Sequence, residues 1–381
     1  MKTAIIGLFC ALTLLLHGMA SAQEKDVMFG KQFTIDSKIL IEQRKIRIYL
    51  PPKYGQNNQN YPVLYLLDGD VHFFHGSSTS QFLSQNGIIP ELIVVGILNI
   101  DRNRDFSPTH VAEVPTSGGA ENFLNFLDKE LIPFINQSYR TTPFRVLMGH
   151  SFGGAFATYS FLTNPGLFDG YIAISPYLQY DNNNLVSQSA NLLGKHYQTQ
   201  KSFYMTVGDE PAYFDPLRNF SDQITSKTDS SLIFKYVIMN NENHATIPYL
   251  SIFNGLQFIF SEWQLPEKTM KAGLQAIDLH YRHISELYHT LIVTPEFIIN
   301  RLGYNYLQLN DYTKAIDTFT ENVKRYPKSA NVYDSLGEAY EKSNNLEMAS
   351  DNYKKAYELG LLELNPNVML FKTNFDRVTN R

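Results

Sequence analysis

Apolar residues follow two patterns along the chain, and the change comes near Trp263. Between residues 33 and 263, compact apolar runs alternate with segments of helical spacing. Lys45–Leu50, Val63–Leu67, Leu92–Ile97, Arg145–Met148, Tyr171–Ile174, Phe203–Val207 and Leu232–Met239 read as strands. Several of them are apolar at successive positions, as expected when both faces of a sheet are covered. Glu121–Asn136 has helical spacing through Phe123, Leu124, Leu127, Leu131 and Ile135, and Phe152–Leu162 reads as a helix following the strand before it. Strands alternating with helices predict an α/β domain around a mostly parallel sheet.

After Trp263 the strand signals fade and a repeat emerges. Leu302-Gly303, Tyr306, Ala315 and Phe319 recur 34 positions later as Leu336-Gly337, Tyr340, Ala349 and Tyr353. The period and residue types resemble the tetratricopeptide repeat. Small Gly and Ala let paired helices approach, aromatic rings fill the space between them, and Pro327 stops the second helix. Leu361 stands where a second proline is usual. Two units, about 296–329 and 330–363, make a short solenoid. Lys268–Leu291 and Asn367–Phe375 are therefore expected to add flanking helices, and the repeat to dock on the α/β domain.

The amino terminus breaks both patterns. Lys2 precedes an apolar run from Ala4 to Leu16, and Ala20-Ser21-Ala22 offers small residues where a signal peptidase cuts. Residues 1–22 read as a cleaved export signal, with a mature chain from Gln23, periplasmic or secreted. Leu8 and Phe9 before Cys10 argue against a lipoprotein signal. The domain reading is thus 1–22 signal, 23–266 α/β domain and 267–381 helical segment. No later segment is long and apolar enough to span a membrane.

Composition narrows the chemistry. Cys10 is the only cysteine and leaves with the signal, so disulfides and thiol catalysis are excluded for the mature chain. The net charge of -5 carries no basic nucleic-acid footprint. His72 and His75 lack a carboxylate or third histidine at metal-binding spacing and read as loop residues near the pocket; no metal or organic cofactor is implied.

Gly149-His150-Ser151-Phe152-Gly153 is a G-x-S-x-G sequence between a buried strand and a helix. A serine on such a turn has a strained backbone that lifts its hydroxyl clear of the sheet, and the flanking glycines admit close backbone contact. Ser151 is the candidate nucleophile. The base should follow a later strand, where His244 stands after Leu232–Met239. The acid should follow the strand before that. Glu210 is the expected acid, because Asp209 suits bonding of the turn's own N–H groups and Pro211 fixes the backbone beside Glu210; Asp209 is the alternative, with Asp215 behind it. Backbone N–H groups of Phe152 and Asp70 are the candidate oxyanion donors.

With these residues in place the chain resembles the Putative esterase family, the α/β-hydrolase branch with siderophore esterases, feruloyl esterases, esterase D and mycolyltransferases. Four segments carry the resemblance: Tyr65–Gly69, Asn99–Asp105, Met148–Gly154, and Glu242–Ala245 followed by Gly255-Leu256. It implies an α/β-hydrolase fold over about residues 40–263, an oxyanion donor at Asp70, and a serine esterase acting on a small-molecule ester, siderophore or otherwise bulky. The loop with Arg102 and Arg104 looks closest to the siderophore-esterase-like members. Those two arginines are expected either to hold an anionic substrate group or to pair with Asp101 or Asp105. An acyltransferase of the same fold, or a protein-binding module built on the repeat with an inert hydrolase domain, are the rival readings.

Overall fold

The computed structural model describes residues 29–194 and 196–380; the expected export signal lies outside them. Eight strands form one sheet: β1 (Lys31–Ser37), β2 (Glu42–Tyr49), β3 (Tyr61–Leu66), β4 (Ile93–Ile97), β5 (Thr141–His150), β6 (Gly170–Ile174), β7 (Lys201–Val207) and β8 (Leu232–Ile238). Their spatial order is β1-β2-β4-β3-β5-β6-β7-β8. The pairings from β4 through β8 are parallel, whereas β2 is antiparallel to both β1 and β4. This is the mostly parallel sheet expected from the alternation, in the α/β-hydrolase-like arrangement that the resemblance implies. The sequence reading missed β1, whose exposed, charged edge strand lacks an apolar run.

Helices cover both faces. One core layer joins the sheet to Ala120–Phe126, Phe152–Thr163 and Pro211–Lys227; the other joins it to Gly69–Gln85 and Ile247–Ile259. The helix expected at 121–136 is interrupted by a π-turn at Leu127–Leu131, just ahead of Pro133, which cannot donate the next backbone hydrogen bond. His72 and His75 lie in the helix Gly69–Gln85, not in a loop. Its polar Ser, Thr and His content masks the helical period.

The second core layer extends into the carboxy-terminal segment. Ile277, Ile284, Tyr288, Ile298 and Leu302 are buried in the same cluster as β3–β6 side chains. Tyr288 packs edge-on to Phe144 at 5.1 Å between ring centres. Beyond this dock run the pairs Glu296–Gln308 with Tyr312–Arg325 and Ala330–Lys342 with Leu346–Leu362, then Val368–Thr379. Asp311 and Asn345, one period apart, each cap the second helix of a pair, accepting the N–H of Lys314 and Met348. A groove of about 1090 Å³ runs between this segment and the amino ends of β3 and β4, lined by Lys53, Trp263, Leu291 and Phe297 among others. It lies away from Ser151, which stands at the carboxyl end of β5. Among the described residues no helix is long and apolar enough to cross a membrane.

Candidate active site

β5 ends in a tight turn because its glycines leave no room for side chains. A Cβ on Gly149 would fall 2.1 Å from the carbonyl oxygen of Gly153. The turn puts Ser151 at φ 58°, ψ −115°, a strained position for a residue with a side chain. Backbone bonds hold it there: Ser151 N–H donates to Ile174 at 2.8 Å, and Tyr177 N–H donates to the Ser151 carbonyl at 3.0 Å.

β7 and β8 supply the neighbouring groups. Glu210 stands at the N-cap position of the helix Pro211–Lys227, and one carboxylate oxygen meets His244 Nδ1. The other accepts the Ser175 hydroxyl at 2.6 Å and the Gly208 N–H at 3.1 Å. Asp209 is exposed, and only its backbone joins the turn, donating to Glu242 at 2.7 Å. The turn N–H expected to engage Asp209 is thus bonded by Glu210 instead, and Asp215 is exposed. Contact with Nδ1 fixes the imidazole tautomer and leaves Nε2 to take a proton.

Three residues that the sequence reading did not assign to the site complete it. The His150 ring packs 4.5 Å from that of His244, and Tyr213 lies 5.5 Å from His244 on another side. The Tyr213 hydroxyl lies near the Ser151 side chain. Ser175, at φ 39°, anchors Glu210. Behind His150 stands His72, at 5.6 Å, and His72 Nδ1 lies 3.1 Å from His75 Nε2. Burial is the main cause that drives His150 down to about 3 and His72 to about 4, with Asp68 opposing the shift at His72. Both imidazoles are therefore neutral at neutral pH, which keeps added positive charge away from His244.

Asp68 adopts a left-handed conformation, φ 52°, and starts the helix Gly69–Gln85. A Cβ on Gly69 would lie 2.5 Å from the backbone of Gly96, so only glycine fits. The N–H groups of Asp70 and Phe152 both belong to first helical turns, where backbone donors have no partner inside the helix.

The arginines are engaged within the chain. Arg102 grips Asp68 through two nitrogens, at 2.7 and 3.1 Å, and donates to the His150 carbonyl at 3.1 Å. It ties the Asp-Gly turn to the serine turn and pairs with Asp68 rather than with Asp101 or Asp105. Arg104 pairs with Glu42 and Asp105, next to the buried Arg44. Both guanidinium groups thus meet carboxylates of this protein: Arg104 pairs with Asp105, one of the two expected partners, within a packing network, whereas Arg102 pairs with Asp68, which was not expected. Asp101 instead caps the short helix Arg102–Phe106.

Comparison with known proteins agrees with this architecture. The profile of the Putative esterase family matches residues 37–245, and that of the tetratricopeptide repeat matches 298–329 and 330–359. The ferri-bacillibactin esterase BesA of Bacillus subtilis is 26% identical over 238 residues, 55% of this chain and 80% of its own. The crystal structure of an IroE-like serine hydrolase from Shewanella oneidensis superposes with a TM-score of 0.68 at 27% identity, covering 78% of this chain and 99% of that one. An uncharacterised Capnocytophaga ochracea structure, 20% identical with a TM-score of 0.69, covers 92% of this chain and 100% of its own, so the likeness in fold reaches into the helical segment.

Proposed function

Since the chain belongs to the Putative esterase family, we propose that it is an exported serine esterase in which Ser151, His244 and Glu210 act as nucleophile, base and acid. The observation that carries this reading is the Glu210 carboxylate on His244 Nδ1 beside a serine held at φ 58°. In the first step His244 takes the Ser151 proton as Oγ attacks the ester carbonyl, the Ser–His hydrogen bond forming once substrate is seated. Glu210 stabilises the imidazolium, and the N–H groups of Asp70 and Phe152 receive the oxyanion. His244 returns the proton to the departing alcohol, and an acyl-enzyme remains. Water then hydrolyses it by the same route.

The substrates are bulky esters of the siderophore kind. The support is the likeness to BesA, named a ferri-bacillibactin esterase, and to an IroE-like hydrolase. Turnover of a catecholate-siderophore ester is expected to exceed that of feruloyl, acetyl-sugar and p-nitrophenyl esters. A folded protein that hydrolyses none of them would remove the proposal. The export signal read in residues 1–22 places this activity in the periplasm or outside the cell, and a mature protein beginning at Gln23 would support it; an uncleaved cytoplasmic chain would not. The helical repeats do no chemistry in this reading and offer a surface for a protein partner. Cross-linking in extracts should give adducts within 296–379, and adducts confined to the hydrolase domain would count against that role.

A further inference from the structure

The triad makes no use of the Tyr213 phenol, yet the phenol reaches the nucleophile. Tyr213 sits three residues beyond Glu210, in the first turn of Pro211–Lys227, with its N–H on the Glu210 carbonyl at 2.9 Å. One turn therefore carries a carboxylate to His244 and a hydroxyl to Ser151. The ring is fixed on both sides, by His244 at 5.5 Å and by Tyr177 at 6.0 Å. Tyr177 is itself bonded through its N–H to the Ser151 carbonyl. Burial pushes the phenol above its ordinary value, so it keeps its proton across the working range.

A phenol whose ring packs on the base and whose hydroxyl lies near the serine borders the region that the second substrate must enter. After acylation, the attacking oxygen has to lie within reach of both His244 and the acyl carbon on Ser151. We propose that Tyr213 orients the water that releases the acyl group, an inference that rests on Ser151 being the acylated nucleophile. The water oxygen bonds to the acyl carbon while its proton passes to His244. The bond from that carbon to Ser151 Oγ then breaks, the proton moves from His244 to Oγ, and a carboxylic acid leaves. Tyr213 gains and loses no proton; its hydroxyl hydrogen-bonds the water and sets its angle of approach. The phenol thereby favours hydrolysis over transfer to an alcohol, whose alkyl group would have to share the space with the ring.

The test is Tyr213→Phe in the full chain with p-nitrophenyl acetate, followed by stopped-flow. Acylation should be nearly unaffected, so the burst of p-nitrophenol keeps its rate. Steady-state turnover should fall about tenfold, the effect of one lost hydrogen bond at the reacting centre. KM should fall by the same factor, leaving kcat/KM unchanged, and acetyl-Ser151 should accumulate in the peptide map. Added methanol should divert more product to methyl acetate than in the wild type. Unchanged kcat, or a fall in kcat/KM with no accumulated acyl-enzyme, would overturn the role of Tyr213. Labelling of wild-type Ser151 by a fluorophosphonate separates the two layers. If Ser151 is labelled, such results remove only the role of Tyr213; if it is not, the functional reading beneath also falls.

Discussion

Glycines appear in both halves of this molecule at places where a Cβ would collide, but they serve opposite ends. At the serine turn, Gly149 makes room for the backbone of Gly153, at 2.1 Å from an added Cβ, and the result is a strained serine. In the repeats, Gly303 and Gly337 make room for the rings of Phe319 and Tyr353, at 2.4 and 2.7 Å, inside regular helices. The first kind of contact forces one residue into a costly conformation. The second lets two helices close on an aromatic filler with no positive φ at either glycine. The strained serine lies where chemistry is proposed, whereas the repeat glycines sit within regular helices. The two halves still share one core, because Tyr288 and Ile284 of the helical segment are buried with Phe144 and Ile172 of the sheet.

The largest effect expected on this contrast is at the serine. Ser151→Ala should lower turnover by roughly 10⁶ with no change in fold, as for other triad nucleophiles. Near-normal hydrolysis by the folded variant would show that the strained turn is only structural. Next, Glu210→Gln should cost about 10⁴ in kcat, whereas Asp209→Asn, an exposed side chain, should leave it within a few-fold. The reverse pattern would move the acid to Asp209.

The two glycine classes should then respond differently. Gly149→Ala should abolish both activity and native stability, because the added Cβ would meet the backbone of Gly153, which cannot yield. Gly337→Ala should cost about 1–3 kcal/mol by overpacking against Tyr353 and leave small-ester turnover intact. Denaturant melts with parallel assays would check this, and equal loss of turnover in both variants would erase the distinction.

The smallest effect concerns pH. A histidine held below its unfolded value binds more protons when unfolded, so stability is complete above about pH 6.5 and falls on acidification toward the folded value. For His72, buried and at about 4, the loss between pH 7 and 5 is about 2 kcal/mol. His72→Gln should flatten that part of the urea-stability profile, and an unchanged slope would rule out His72 as its source.

Most of the fold was legible because its elements are regular. Compact apolar runs, several of them continuous, marked seven strands, and the glycine-to-aromatic spacing marked the repeat. β1 was missed because an exposed edge strand has no such run. In the candidate site, order and turn context pointed to Ser151 and His244, and Pro211 pointed to Glu210 over its neighbour; the structure sets the Glu210 carboxylate on His244 Nδ1. Tyr213 had no sequence signal; a tyrosine in a first helical turn resembles any other until the fold sets it beside Ser151. Arg102 was visible as a residue but not as a brace, since its partner Asp68 lies 34 positions away and meets it only through the pairing of β3 with β4.

The central claim is that Ser151 is an activated nucleophile. Treating the folded protein with a fluorophosphonate at neutral pH and mapping the adduct by peptide mass tests it directly. The account predicts one adduct per chain, on Ser151, lost in Ser151→Ala and strongly slowed in Glu210→Gln. A folded protein that stays unlabelled, or that is labelled equally well after Ser151→Ala, would contradict it.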